Sequence, residues 1–454
     1  MAPSAAEAVH TDDRALALRD AARWFTLGIS SIAVAGTLAI VLVIGRLPGV
    51  AEVVITEVEF ARRSLVVHVN LALGVWFFSF MAGLFCLLPG ARGRRVTPLA
   101  FGLATLGVIA FSVSMFLPGA TPILSNYVPA LDHPVFVGGL SLFWAGVALN
   151  FVDRRFVPRR TASIELPAEC HTGVRAAAIA FVLALGTIGA TWATQPDGLT
   201  AYGHYERLFW GGGHLLQYAN VLAMVSAWLL LLSHALPRPP IAPRVANVLF
   251  LLLLAPTLSG PVLAATSADL HWYTKLMQWG IFPVVSVFIV LIWAGFFRNR
   301  GQYTWRSPAF MGLITSLGMT VLGFLLGAMI STSTTLIPAH YHTSIGAVTA
   351  AFMAVTLTLL PRYGRQLRPA AARWAIWQPA VFGLGQVVFA FGLAIAGTWG
   401  QAERKVYGKE QVVRTTGEWV GLIVMGAGGV IALAGGILFV VLLVKALRNR
   451  VPAA

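Results

Sequence analysis

Residues 339–348 read Ala339-His340-Tyr341-His342-Thr343-Ser344-Ile345-Gly346-Ala347-Val348, and the chain stays mostly apolar from there to Pro361. Roughly 20 mostly apolar residues wound as a helix cross the hydrocarbon core of a bilayer, so 341–361 reads as a membrane span. Ionisable side chains at membrane depth are costly and mark function, and here two imidazoles stand at the head of the span. Positions i and i+2 of a helix lie about 200° apart. The rings of His340 and His342 therefore face nearly opposite sides; they cannot grip one small ion together, but they can serve two groups, one on each face. The bland alternative is that one histidine caps the helix and the other faces a polar loop.

The rest of the chain has the same character. Of 454 residues 57 % are hydrophobic and only 11 % charged, against about 25 % charged in soluble domains. That excludes an ordinary soluble enzyme and a disordered tail protein. The net charge of +15 comes from few acids and short basic loops between apolar runs, so it indicates no nucleic-acid partner. Twelve runs of spanning length occur, at about 24–45, 65–89, 97–117, 134–152, 174–195, 207–233, 245–266, 276–297, 307–331, 341–361, 376–398 and 418–446. A backbone in lipid must satisfy its own polar groups, so these runs are helices. The expected fold is an all-α polytopic membrane protein with twelve transmembrane helices: an N-terminal segment 1–23, a membrane domain 24–447 and a tail 448–454.

Placing the N-terminus in the cytoplasm puts 23 of the 32 Lys and Arg residues on the inner side, as the positive-inside rule requires. Both termini are then cytoplasmic, and a bacterial inner membrane is the expected location. Residues 1–22 are charged and lack the apolar core of a cleavable signal. The only cysteines are Cys86 and Cys170, too few for a disulfide framework and without a haem c attachment motif.

Of ten histidines, seven fall toward the outer side: His68, His133, His204, His214, His271, His340 and His342. His68, His214 and His342 lie within spans, and His340 and His271 at or just beyond span ends. Several imidazoles at one depth on different helices suggest metal or haem ligation, because neutral imidazole binds iron and copper well.

These residues carry a resemblance. The stretch Ala339–Val348 resembles the tenth-helix signature of the haem–copper oxidase superfamily catalytic subunit, the family of cytochrome c oxidase subunit I and the nitric oxide reductase large subunit. The run Arg62–Trp76, with His68-Val69-Asn70-Leu71, resembles its second helix, in a form closer to nitric oxide reductases and C-type oxidases. Trp210-Gly211-Gly212-Gly213-His214-Leu215-Leu216-Gln217-Tyr218 resembles the sixth-helix metal site. Leu270-His271-Trp272-Tyr273-Thr274 sits where the seventh helix usually ends in paired histidines. Each motif alone is weak; the ordered set spans nearly the whole chain.

The resemblance implies two haems. His68 and His342 would be the axial ligands of a low-spin haem, and His340 the proximal ligand of a high-spin haem. His214 and His271 would bind a second active-site metal, copper or non-haem iron. Arg404 and Lys405 would hold haem propionates. Leu270 replaces the first of the usual paired histidines, leaving Asp269, or His204, to complete the metal shell; a carboxylate there suits iron better than copper. Tyr218, at i+4 from His214 and on the same helix face, resembles the tyrosine of oxygen-reducing members. Gln217 stands in the slot of an A-type proton-channel glutamate, which favours nitric oxide.

The expected activity is therefore that of a respiratory terminal reductase, an oxidoreductase forming nitrous oxide from nitric oxide, with cytochrome c oxidase-type reduction of oxygen to water as the alternative. With no electron-entry segment of its own in view, the chain would need a donor subunit carrying haem c or dinuclear copper, or cytochrome c itself. Two other readings stay open: a transporter with a histidine proton relay, and a degenerate paralogue that keeps its haems without the second metal.

Overall fold

The computed structural model of the protein describes residues 5–54, 57–89, 96–152, 166–238, 240–400 and 406–450. Among them are twelve helices long and apolar enough to cross a membrane. In chain order they are α1 (Ala5–Ile44), α2 (Val58–Cys86), α3 (Val96–Phe116), α4 (Pro134–Phe151), α5 (Ala168–Thr194), α6 (Ala201–Ala235), α7 (Pro243–Ala265), α8 (His271–Arg298), α9 (Pro308–Ala328), α10 (Leu336–Tyr363), α11 (Pro369–Thr398) and α12 (Thr416–Leu447). The all-α, twelve-span expectation holds.

Successive helices pack as antiparallel neighbours, α3 on α4, α5 on α6, α9 on α10 and α11 on α12, and α1 closes the ring against α12. Lipid supplies no hydrophobic drive between helices, so close packing of small residues replaces it. The α11–α12 contact shows this: a Cβ at Gly385 or Gly392 would meet the backbone of Ala432 or Met425. Helix α6 lies at the centre, touching α5, α8, α9 and α10. The three spans with the largest buried shares are α6, α2 and α10, the same three that carry His214, His68 and the His340/His342 pair.

Several helices begin before their apolar runs, because caps rather than hydropathy set helix starts. Thr200 accepts from the Gly203 N–H at the head of α6. Asp269 Oδ1 accepts from the His271 N–H at the head of α8, 2.9 Å. Thr334 Oγ1 accepts from Leu336 N–H at the head of α10, so His340 and His342 both lie inside the helix.

Two features were not legible as apolar runs. Between α3 and α4 the chain forms a two-stranded antiparallel hairpin, β1 (Thr121–Ile123) and β2 (Ala130–Asp132), with Thr121 opposite Asp132. Within α2, Asn70–Val75 winds as a π-helix, a distortion frequent at functional sites. It starts two residues after His68. Asn70 Nδ2 donates to the carbonyls of Val66 and Pro129, tying this distortion to the hairpin.

Candidate functional site

His68 and His342 lie where α2 and α10 come together beside α1 and α11, a region we call the crevice. The Nδ1–H of His68 donates to the Ala35 carbonyl of α1, 2.8 Å. A carbonyl only accepts, so this bond fixes the tautomer and leaves the Nε2 lone pair open, as in metal-bound histidines. His342 packs its ring on Phe389 of α11, centroids 4.5 Å apart, and on Tyr341. His68, Gln386 and Arg46 all lie within electrostatic reach of His342. Neither imidazole is fully buried, although both sit deep along buried spans. A few turns further along the same helices the space is filled: Phe80 of α2 stacks on Phe352 of α10 at 4.0 Å, with Trp76 edge-on to both.

His340 points the other way, as the 200° offset requires. Its Nδ1–H donates to the Gly323 carbonyl of α9, 2.7 Å. The ring lies flat enough on α9 that a Cβ at Gly327 would stand 2.8 Å from Nδ1. Its Nε2 also stays open. The donor chemistry fits two porphyrin irons: His68 with His342 close by on one side of α10, and His340 on its opposite face.

His214 is different. It is buried on α6, and its Nδ1–H donates to the Trp210 carbonyl one turn back, 2.7 Å. Its Nε2 is taken: the Tyr127 hydroxyl from the hairpin turn donates to it at 2.8 Å, with Thr274 Oγ1 at 3.4 Å. The glycines before His214 make this possible. A Cβ at Gly213 would collide with Tyr127, and one at Gly211 with the Tyr273 ring. The turn is clamped from below: Asn126 donates its backbone N–H and side-chain amide to Glu206 of α6, and Tyr205 donates to Asp132. Burial, and then the Glu206 carboxylate, push the Tyr127 hydroxyl above its ordinary pKa, so it remains a donor.

Helices α6 and α9 run antiparallel, with Trp228 bonded to Ser316 and Met224 facing Thr320. That register sets Val221 level with Gly323 and Gln217 level with Gly327, so His214 lies about one to two turns of helix from the α9 residues that touch His340.

The expected metal shell of His214, His271 and Asp269 does not assemble. Among the described residues no three His, Cys, Asp or Glu side chains come together to hold a metal ion. His271 and Asp269 are exposed, and Asp269 spends its carboxylate capping α8. His204, the other expected completion, is bonded to the Gln195 side chain at 2.9 Å. The residues present do not fit a second metal. Tyr218 lies one turn beyond His214, but its hydroxyl donates to the Leu276 carbonyl of α8. Arg404 and Lys405 lie outside the described residues; among the described residues Arg46 brings a cation near His342 and covers the Tyr407 ring at 4.9 Å. Arg46, Tyr127, Thr274 and Gln386 are the site residues that sequence reasoning missed. Only Tyr127 had a signal, an aromatic in a polar turn opposite a glycine triplet.

Comparison with known proteins agrees with this architecture. The family described as cytochrome c and quinol oxidase polypeptide I matches residues 20–432. A protein of Aquifex aeolicus (strain VF5), called uncharacterized, is 32 % identical over 351 residues, covering 75 % of this chain and 84 % of its own length. Uncharacterized protein RP382 of Rickettsia prowazekii (strain Madrid E) is 25 % identical over 487 residues, covering 92 % and 94 %. A heme-copper terminal oxidase solved as a dimer by cryo-EM superposes with a TM-score of 0.68 at 17 % identity, over 98 % of this chain and 86 % of that one. The ordered histidines, the twelve-helix bundle and the match along nearly its whole length make the chain a divergent member of the haem–copper oxidase subunit I family.

Proposed function

We propose that the chain is the catalytic subunit of a membrane terminal reductase that converts nitric oxide to nitrous oxide. His68 and His342 would hold a low-spin haem and His340 a high-spin haem. The family generally binds haems and a copper or iron centre; the haems supply one-electron chemistry, and the protein supplies ligands, spacing and dryness. Two nitric oxide molecules, two electrons and two protons give one nitrous oxide and one water. The observation that carries the reading is the pair of imidazoles His68 and His340, each with Nδ1 clamped to a carbonyl and no partner at Nε2 among the described residues, with His342 within electrostatic reach of His68.

The other residues have defined tasks. Ala35 and Gly323 hold the rings of His68 and His340 in one tautomer. Arg46 brings positive charge to the crevice, where it would pair with a haem carboxylate. The short α10 link through Tyr341 joins the two haem faces. Arg404 and Lys405 remain proposed propionate partners. Electrons would arrive from a subunit carrying haem c or dinuclear copper, or from cytochrome c, at the face opposite the basic loops. The basic-loop asymmetry supports both termini in the cytoplasm of a bacterial inner membrane.

Oxygen reduction is the second reading, favoured by Tyr218 one turn beyond His214. There oxygen, four electrons and four protons give two waters. Purified protein should contain two haems per chain, bind carbon monoxide at one, and consume nitric oxide faster than oxygen with a reduced donor. Protein with no haem refutes the reading; oxygen turnover above that of nitric oxide replaces it with the second.

A further inference from the structure

We infer that the centre around His214 works without a second metal ion, the Tyr127 hydroxyl standing where that ion would bind and joining His214 to a small water-holding cavity. The inference rests on the proposed terminal-reductase reading and deepens it: the gas at the His340 haem is met by hydrogen-bonding side chains instead of a metal.

Three independent features support this. First, the tautomer leaves His214 one lone pair, at Nε2, and that lone pair accepts from Tyr127 at 2.8 Å. An imidazole nitrogen cannot bind a metal and accept a hydrogen bond with the same pair. Second, no other ligand stands ready. The neighbours of Nε2 are two hydroxyls, those of Tyr127 and Thr274. His271 is exposed at the head of α8. Neutral hydroxyls and one imidazole make a poor shell for copper or iron, which prefer several imidazole or carboxylate donors. Third, the tyrosine's place is built. Gly213 clears its path along α6, the Asn126–Glu206 clamp holds the turn, and Asn70 of the π-helix pins the turn's far side through the Pro129 carbonyl.

Beyond Tyr127 lies a cavity of roughly 30 Å³, walled mostly by apolar residues such as Phe78 and Trp144, with Asn70, Tyr127, Gln217 and Asn220 as its polar members. That is room for one or two waters at about 15 Å³ each. Asn220 Oδ1 is buried with no hydrogen-bond partner, as expected of an acceptor that a water satisfies. Tyr127 is then shared between this cavity and the His214 pocket.

The test uses the purified full chain with its haems. Copper, zinc and total iron are measured against haem and protein in the wild type, in His214→Gln and in Tyr127→Phe. We expect all the iron to be haem iron, no stoichiometric copper or zinc, and no change in metal-to-protein ratio in either variant. The ferrous carbon monoxide stretching band should shift in Tyr127→Phe, where a polar group next to the bound gas is lost, and the His68/His342 haem spectrum should not. A stoichiometric third metal that falls in His214→Gln overturns the inference while leaving the two-haem reading intact. An unshifted carbon monoxide band in Tyr127→Phe also overturns it. Absence of haem refutes the terminal-reductase reading, and the metal ratio is read separately from it.

Discussion

The α2–α10 crevice and the α6–α8 pocket are built from the same part, an imidazole with Nδ1 anchored to a main-chain carbonyl, and they end in opposite states. In the crevice, His68 leaves Nε2 open and faces a second ring, His342. In the pocket, His214 finds its Nε2 closed by Tyr127 and no second ligand nearby. The anchoring carbonyl is therefore common to both histidines and does not set them apart. What distinguishes them is the occupant of the opposite nitrogen. A stacked aromatic core adjoins the crevice, whereas the pocket spends glycines to bring a hydroxyl in.

The largest effects should come from removing the crevice ligands. His342→Ala should lose one of the two haems and all donor-driven turnover, while keeping the haem that binds carbon monoxide. His340→Ala should do the reverse, losing carbon monoxide binding and keeping the low-spin spectrum. Pyridine haemochrome assay and reduced-minus-oxidised spectra read both. If each variant retained two haems with unaltered spectra, the crevice would not be a haem site and the contrast with the pocket would collapse.

The fold was legible because twelve apolar runs and the loop charges are one-dimensional signals. The paired faces of α10 were legible for a similar reason: a 200° offset is a property of helix geometry, and the structure sends His340 to Gly323 and His342 to Phe389. The pocket was not legible. Asp269 looked like a spare metal ligand, but at the sequence level a carboxylate that caps a helix and one that binds an ion are the same letter. His271, expected at or just beyond a span end as a metal ligand, begins α8 on an exposed surface. Tyr127 reaches His214 across 87 residues of chain, and such a contact leaves no periodicity. The Gly211–Gly213 triplet was the nearest hint, since a run of missing side chains on a central helix marks a close neighbour.

An intermediate effect should come from the pocket's packing. Gly213→Ala adds a Cβ against Tyr127, and overpacking of this kind costs about 1–3 kcal/mol. Tyr127 must withdraw, so the Tyr127–His214 bond breaks. The variant should unfold at lower temperature in detergent and show the same carbon monoxide band shift as Tyr127→Phe. Its His68/His342 spectrum should stay as in the wild type, because the added Cβ meets Tyr127 and neither His68 nor His342. A change in that spectrum would mean the two regions are coupled through α10 and are not separable sites.

The smallest effect concerns the strap at the mouth of the crevice. Arg62 of α2 pairs with Glu410 at 2.7 Å, and Gly408 N–H donates to the Gly45 carbonyl at the end of α1. The ion pair is 33 % and 39 % exposed on its two sides, so Arg62→Ala should cost only about 0.2–1 kcal/mol. The loss should shrink as salt is raised, since the screening length falls to about 3 Å at 1 M. Gly213→Ala, a steric lesion, should show no such salt dependence. Thermal unfolding of both variants at low and high salt thus separates a screened contact at the crevice mouth from a packed contact in the pocket. A salt-independent loss of more than about 2 kcal/mol in Arg62→Ala exceeds what an exposed pair supplies, and would mean that the strap is held by packing, with the main-chain bond to Gly45 outweighing the charges.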